Sequence, residues 1–287
     1  MLGLISVSGC ENPHRNGDVI FIHGLAGHAW GTWHHQDRRD RSDCDFWFTW
    51  LQEDLTNKGI DVGVWTFGYD AARSQFSGSA MARFDQASNL LEFLQVQGIG
   101  ERPVIFVTHS MGGLLVKEVL RTAQNFPRQG QAIIEQTKGI VFLATPHTGS
   151  HLAKLIEHIR ILARPTVNVQ ELMEHAPALR SLNEWYRQNV EILGIDTKVF
   201  YETQPTAGIL VVDEDSANPG ITDVNPVAIA KDHNQIAKPS SREDLVYLSV
   251  KQFVKKHIKP RPILPSNDTI VLKKPNFVKT EDPHYPL

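Results

Sequence analysis

A serine between a buried strand and a helix can be made into a nucleophile, and Val104-Ile105-Phe106-Val107-Thr108-His109-Ser110-Met111-Gly112-Gly113-Leu114-Leu115-Val116 has that layout. A sharp strand-to-helix turn would lift the hydroxyl of Ser110 above the sheet and aim the following N–H groups and the helix N-terminus at developing negative charge. Gly112 and Gly113 let a neighbouring backbone pass close. The usual G-x-S-x-G pattern carries glycine where this chain has Thr108, which implies a slightly wider strand–helix approach. Acyl transfer also needs two N–H donors on the tetrahedral oxyanion. Val19-Ile20-Phe21-Ile22-His23-Gly24-Leu25 ends a strand in His-Gly, so Leu25 and Met111 are the expected donors, with His23, Gly24 and His109 around them.

A serine nucleophile requires a base and a carboxylate that orients it. His233, in Lys231-Asp232-His233-Asn234-Gln235-Ile236, stands late in the chain after a short apolar run, where the base of such a site belongs. Glu202 directly follows the run Lys198 to Tyr201 and is the favoured acid; Asp215, in the cluster Asp213-Glu214-Asp215, is the alternative. His147, in Ala144-Thr145-Pro146-His147, precedes both acids in the chain and is expected at the rim or just behind the site. His28, His34 and His35 lack ligand spacing, so no catalytic metal is expected. Phosphate-binding G-x-x-x-x-G-K-[ST] and dinucleotide-binding G-x-G-x-x-G patterns are absent from the sequence.

These residues need elements to hold them. Asp18 to Ile22, Asp61 to Phe67, Pro103 to Val107, Gly139 to Leu143 and Lys198 to Tyr201 are short runs of Val, Ile and aromatics that suit strands buried on both faces. Between them, Phe46 to Asn57, Ala80 to Gln97 and Gly112 to Asn125 carry helical periodicity, the last closed by Pro127. Alternation of this kind predicts one mostly parallel, doubly wound α/β domain over residues 1–259, with Leu2 to Val7 as an edge strand. Leu25 to Asp45, dense in Trp, His and charge, is expected to be a surface loop. His151 to Gly194 is expected to be a helical insertion, since Leu152, Leu155, Ile156, Ile159 and Leu162 recur at spacings of three and four and Leu172, Leu179, Leu182 and Trp185 extend them. Such helices either pack on the sheet or cap a pocket, and a helical cap over residues 151–194 is the expectation here. A last helix is expected to start at Ser240, answered by Glu243, and to turn Val246, Val250, Phe253 and Val254 inward. Residues 260–287 are rich in proline and read as a tail or linker.

Composition narrows the function classes. The 287 residues are 41% hydrophobic, enough for a substantial core, and their 21% charged residues nearly cancel to a net −3. No long block of one sign marks a nucleic-acid binder. Apolar runs fall short of the roughly 20 residues that span a bilayer, and the N-terminal stretch lacks the pattern of a secretory leader. Cys10 and Cys44 are too few for a disulfide framework, which fits a reducing compartment and a cytoplasmic location.

Taken together, FIHGL at 21–25, WLQEDL at 50–55, VTHSMGGLLVK at 107–117, ATPHTGS at 144–150, ETQPT at 202–206, DSA at 215–217 and DHNQIAKP at 232–239 make the chain resemble the serine-active-site-containing family of α/β-hydrolases. That family is related to GPI inositol-deacylases and to lipase-like domains of fungal and bacterial signalling proteins. The resemblance covers about residues 15–258. It tolerates threonine at the position of Thr108, and it pairs an ET segment with an ESA segment, where this chain carries Asp215-Ser216-Ala217. What it implies is cofactor-free hydrolysis or transacylation of lipid-like esters, with transient contact at a membrane surface, in a domain that often precedes a nucleotide-binding signalling module. The competing expectations are a hydrolase-shaped binding domain without turnover and an amide-cleaving enzyme.

Overall fold

The structure is a computed structural model that describes residues 2–69, 80–147 and 176–260. Seven strands form one sheet: β1 (Gly3–Ser8), β2 (Gly17–Ile22), β3 (Val62–Gly68), β4 (Val104–His109), β5 (Thr137–Leu143), β6 (Asp196–Glu202) and β7 (Val227–Ile229). They lie in the order β1-β3-β2-β4-β5-β6-β7, with β1 antiparallel to β3 and every other pairing parallel. All six residues of β2 and of β4 are buried. Helices on both faces of a parallel sheet explain why such strands read as continuous apolar runs and not as alternating ones.

The helices are α1 (Trp47–Thr56), α2 (Ala80–Val96), α3 (Met111–Asn125), α4 (Pro127–Gln136), α5 (Ala176–Asn189), α6 (Glu214–Ala217) and α7 (Leu245–His257). α3 packs against α2, α4 and α5, while α1 packs with α7. This is the expected doubly wound α/β architecture, and the expected strands and helices are met within a residue or two at most ends.

Four expectations are corrected. Pro127 does not merely close α3. It stands at the first position of α4, where its missing N–H costs nothing. The last helix starts at Leu245, not near Ser240, because Asp244 accepts the Val246 N–H at 3.0 Å and so caps it. Ser241 Oγ instead accepts from Glu243 N. The stretch Leu25 to Asp45 is not all surface. Trp30, Trp33 and His34 are buried, and Trp33 meets Phe21 edge-on at 5.1 Å, so exposure concentrates in its second half. In the insertion, Leu179 and Leu182 of α5 are buried against α3, which makes this part core packing. Leu152, Leu155, Ile156, Ile159, Leu162 and Leu172, like residues 261–287 of the proline-rich tail, lie outside the described residues.

Both cysteines are free. Burial pushes the Cys10 thiol up to about 11, so it behaves as a packing residue that donates to Val64 O. No helix among the described residues is long and apolar enough to cross a membrane.

Candidate active site

Ser110 sits between β4 and α3 with φ 51° and ψ −126°. A non-glycine residue in that region is strained, and it persists only where its surroundings over-determine it. Here they do. Ser110 N donates to Leu143 O at 2.9 Å, while Ser110 O accepts from Thr145 Oγ1 at 2.9 Å and from Gly113 N at 3.1 Å. The turn also needs Gly112, since a Cβ there would stand 2.4 Å from Ile22 O. The hydroxyl of Thr108, the departure from the usual pattern, is absorbed sideways by Val141 O at 2.9 Å.

His233 follows β7 and precedes a short 3-10 turn, Gln235–Ala237, whose Ile236 and Ala237 are buried. Trp47 Nε1 donates to Ala237 O at 3.0 Å and pins this turn to α1. His233 Nε2 stands 3.0 Å from Ser110 Oγ, and its Nδ1 stands 3.3 Å from Glu202 Oε1. Glu202, at the carboxyl end of β6, is fully buried, and its Oε1 also accepts the Val212 N–H at 2.5 Å. Asp215 is exposed on α6, whereas Glu202 makes the contact with His233 Nδ1. Asp213 caps α6 by accepting from Ser216 N. The Val212 donor carries no signal in the sequence, whereas Thr206, whose Oγ1 accepts from His233 N at 3.1 Å, closes the ETQPT segment.

The remaining expected residues gather on the other side of Ser110. Gly24 approaches so closely that a Cβ would lie 2.7 Å from Ser110 Cβ. Among the described residues, neither Leu25 N–H nor Met111 N–H donates to a main-chain carbonyl outside the regular elements. A cavity of about 320 Å³ opens beside this loop, lined in part by Leu25, Gly27, His28, Arg39, His109 and Lys238. His23 is buried beneath this loop. Its Nδ1–H donates to Gly24 O at 2.8 Å, its ring stacks on Tyr69, and the Tyr69 hydroxyl donates to His23 O. Burial holds His23 down at about 4, so it is a neutral spacer under the loop. His109 is buried too. Its Nε2–H donates to His233 O at 2.8 Å, and burial keeps it well below the usual histidine range.

His147 likewise lies behind the site. It is 1% exposed, and its Nδ1 stands 2.6 Å from Lys117 Nζ. Lys117 and Tyr69 are buried polar residues near the site to which the sequence assigns no role. His34, His35 and Asp45 bring ligand-type atoms within 4.8 Å of one another. His34 Nδ1 accepts from Gln36 N, and its Nε2 faces Asp43 at 3.4 Å.

A PGAP1-like alpha/beta domain model matches residues 15–199. The chain belongs to the PGAP1-like family. The matched PGAP1-like span holds Leu25, Ser110 and Met111 and ends before Glu202 and His233. Protein SERAC1 of Homo sapiens is 34% identical over 258 residues, covering 83% of this chain and 38% of its own length. Protein SERAC1 of Danio rerio is 35% identical over 267 residues, covering 85% of this chain and 39% of its own. The PGAP1-like chain thus spans well under half the length of the curated relatives it matches. Among solved structures, phospholipase PlaB from Legionella pneumophila aligns with a TM-score of 0.58 at 14% identity, over 83% of this chain and 59% of that one. A carboxylesterase from Nitrososphaera gargenis aligns with a TM-score of 0.53 at 12% identity, over 88% and 93%. At these identities the likeness is one of fold, and the fold is that of lipase- and esterase-like α/β-hydrolases.

Proposed function

We propose that this protein is a serine carboxylic-ester hydrolase that cleaves lipid-like esters through an acyl-enzyme. Ser110 Oγ attacks the acyl carbon while His233 Nε2 takes the hydroxyl proton. Negative charge then grows on the carbonyl oxygen, where the N–H groups of Leu25 and Met111 receive it. His233 returns the proton to the leaving alcohol, activates a water molecule and so releases the acid. Glu202 keeps the proton of the neutral imidazole on Nδ1 and stabilises the imidazolium. The chain of contacts from Ser110 Oγ through His233 to Glu202 carries the reading. The strained turn at Ser110 supports it, and so does the PGAP1-like family.

The lipid-like substrate class rests on that family and on the phospholipase and carboxylesterase among proteins of the same fold. We place the reaction at a cytoplasmic membrane surface, in a domain that forms part of a longer signalling protein. No cofactor enters the scheme.

Incubation with a fluorophosphonate followed by peptide mapping tests nucleophile, activation and access together. Ser110 should carry the adduct, and Ser110→Ala should lose turnover by about 10³-fold or more while keeping its fold. An adduct at a different serine, or full activity in the variant, would remove Ser110 from the role.

A further inference from the structure

Lys117 lies on α3 two turns beyond Ser110 and is fully buried. Among the described residues no carboxylate meets it. Its Nζ is 2.6 Å from His147 Nδ1 and 2.8 Å from Asn183 Oδ1, and stands over the rings of Phe142 and Tyr186 at 5.3 and 4.6 Å. Burial pulls both Lys117 and His147 well below their usual ranges. A polar cluster of this kind is a costly way to fill space that a methionine would fill, so its geometry calls for a role beyond packing.

That role follows from what His147 terminates. The segment Leu143–His147 holds the main chain of Ser110 at both ends, with Leu143 O accepting from Ser110 N and Thr145 Oγ1 donating to Ser110 O. Within it, Ala144 is held at φ 49° and donates its N–H to Phe200 O, so the path is tightly constrained. At its far end His147 N donates to Ser216 O at 2.7 Å. Ser216 lies in α6, four residues after Val212, whose N–H holds Glu202 Oε1. His147 is therefore the residue where the supports of Ser110 and of Glu202 meet, its main-chain N–H making the link to Ser216 O, and Lys117 holds its side chain. Asn183 Nδ2 donates to Pro219 O at 3.3 Å and ties α5 into the same knot.

We propose that Lys117 is a positioning residue, which by holding His147 and Asn183 keeps the segment Leu143–His147 seated on the main chain of Ser110. This rests on Ser110 being the nucleophile. The residue touches no reacting atom and acts only through the segment it anchors.

The test compares wild type with Lys117→Met and with the paired replacement Lys117→Met/His147→Leu. The pair removes both polar partners, so it avoids the penalty of leaving one buried and unpaired and keeps a folded protein available. Fluorophosphonate labelling of Ser110 is timed well below each variant's melting temperature, alongside kcat and KM for p-nitrophenyl acetate. Labelling and kcat should both fall about 10- to 100-fold, the scale of a small misplacement of a reacting group. KM should stay within about twofold, since substrate binding is not what the knot supports. On a Thr145→Val background, which cuts the same link, adding Lys117→Met should slow labelling by less than about twofold, because neighbours on one path are not additive. Unchanged labelling in the folded paired variant overturns the proposal, as does full additivity with Thr145→Val. A wild-type protein that does not label at Ser110 overturns the hydrolase reading, and this proposal with it.

Discussion

Glu202 Oε1 faces His233 Nδ1 at 3.3 Å and is held in place by the main-chain N–H of Val212 at 2.5 Å. One carboxylate oxygen thus serves the imidazole from a site closed to water, and a strand end fixes where it can point. Neutralising it removes the preference for a proton on Nδ1 and the charge that stabilises the imidazolium.

Glu202→Gln should therefore lower kcat by about 10⁴-fold with KM little changed, the effect known for neutralising the acid of such a triad. Asp215→Asn, a change on the exposed face of α6, should lower it by less than about twofold, as surface changes of this kind do. Steady-state kinetics on one soluble ester ranks the two. The reverse ranking would move the orienting role to Asp215 and leave Glu202 as a tie for the Val212 loop.

Acid should destabilise the fold through its buried neutral histidines. His23 titrates near 6.5 when unfolded but at about 4 when folded, so the unfolded state binds the proton more readily between those values. The stability it allows is complete above pH 6.5, is lost as pH falls towards 4, and levels off below. Within that window the loss is up to about 1.4 kcal/mol per pH unit for each such histidine. Thermal melts between pH 7 and 5 should drop, and His23→Gln should flatten the slope. An equal slope in the variant would show that His23 is not held neutral.

Leu182 is buried in α5 against α3. Its truncation to alanine should cost about 2–5 kcal/mol of stability, as for other buried leucines, and leave chain-length preference among p-nitrophenyl esters unchanged. A changed preference with an unchanged melting temperature would make this part of the insertion a pocket wall.

The parts of this site that could be read from the sequence are those with a local pattern. β2 and β4 are apolar along their whole length because both faces are covered, and Ser110 is marked by the change from that run to a glycine-rich helix start. His233 and Glu202 are legible through chain order and their places after strands. The rest is long-range. Trp30 and Trp33 lie in a stretch crowded with charge, and only tertiary packing, of Trp30 on Phe46 and Phe48 and of Trp33 on Phe21 and Trp47, makes them core. The three residues of β7 are too few to show a period. Lys117 reads as a solvated helix residue until α5 and the segment after β5 close over it. Ser240 and Glu243 form a cap pattern that points to a start of α7 near Ser240, while Asp244 makes the actual bond.

That Ser110 carries the acyl group is tested most directly by trapping it. The protein is mixed with excess p-nitrophenyl butyrate, quenched in acid within the first turnover and digested for mass spectrometry. A burst of about one nitrophenolate per chain, with a butyryl group on the peptide that contains Ser110 and none in Ser110→Ala, is the expected result. A butyryl group on any other residue, or steady turnover by Ser110→Ala at the wild-type rate, would contradict it.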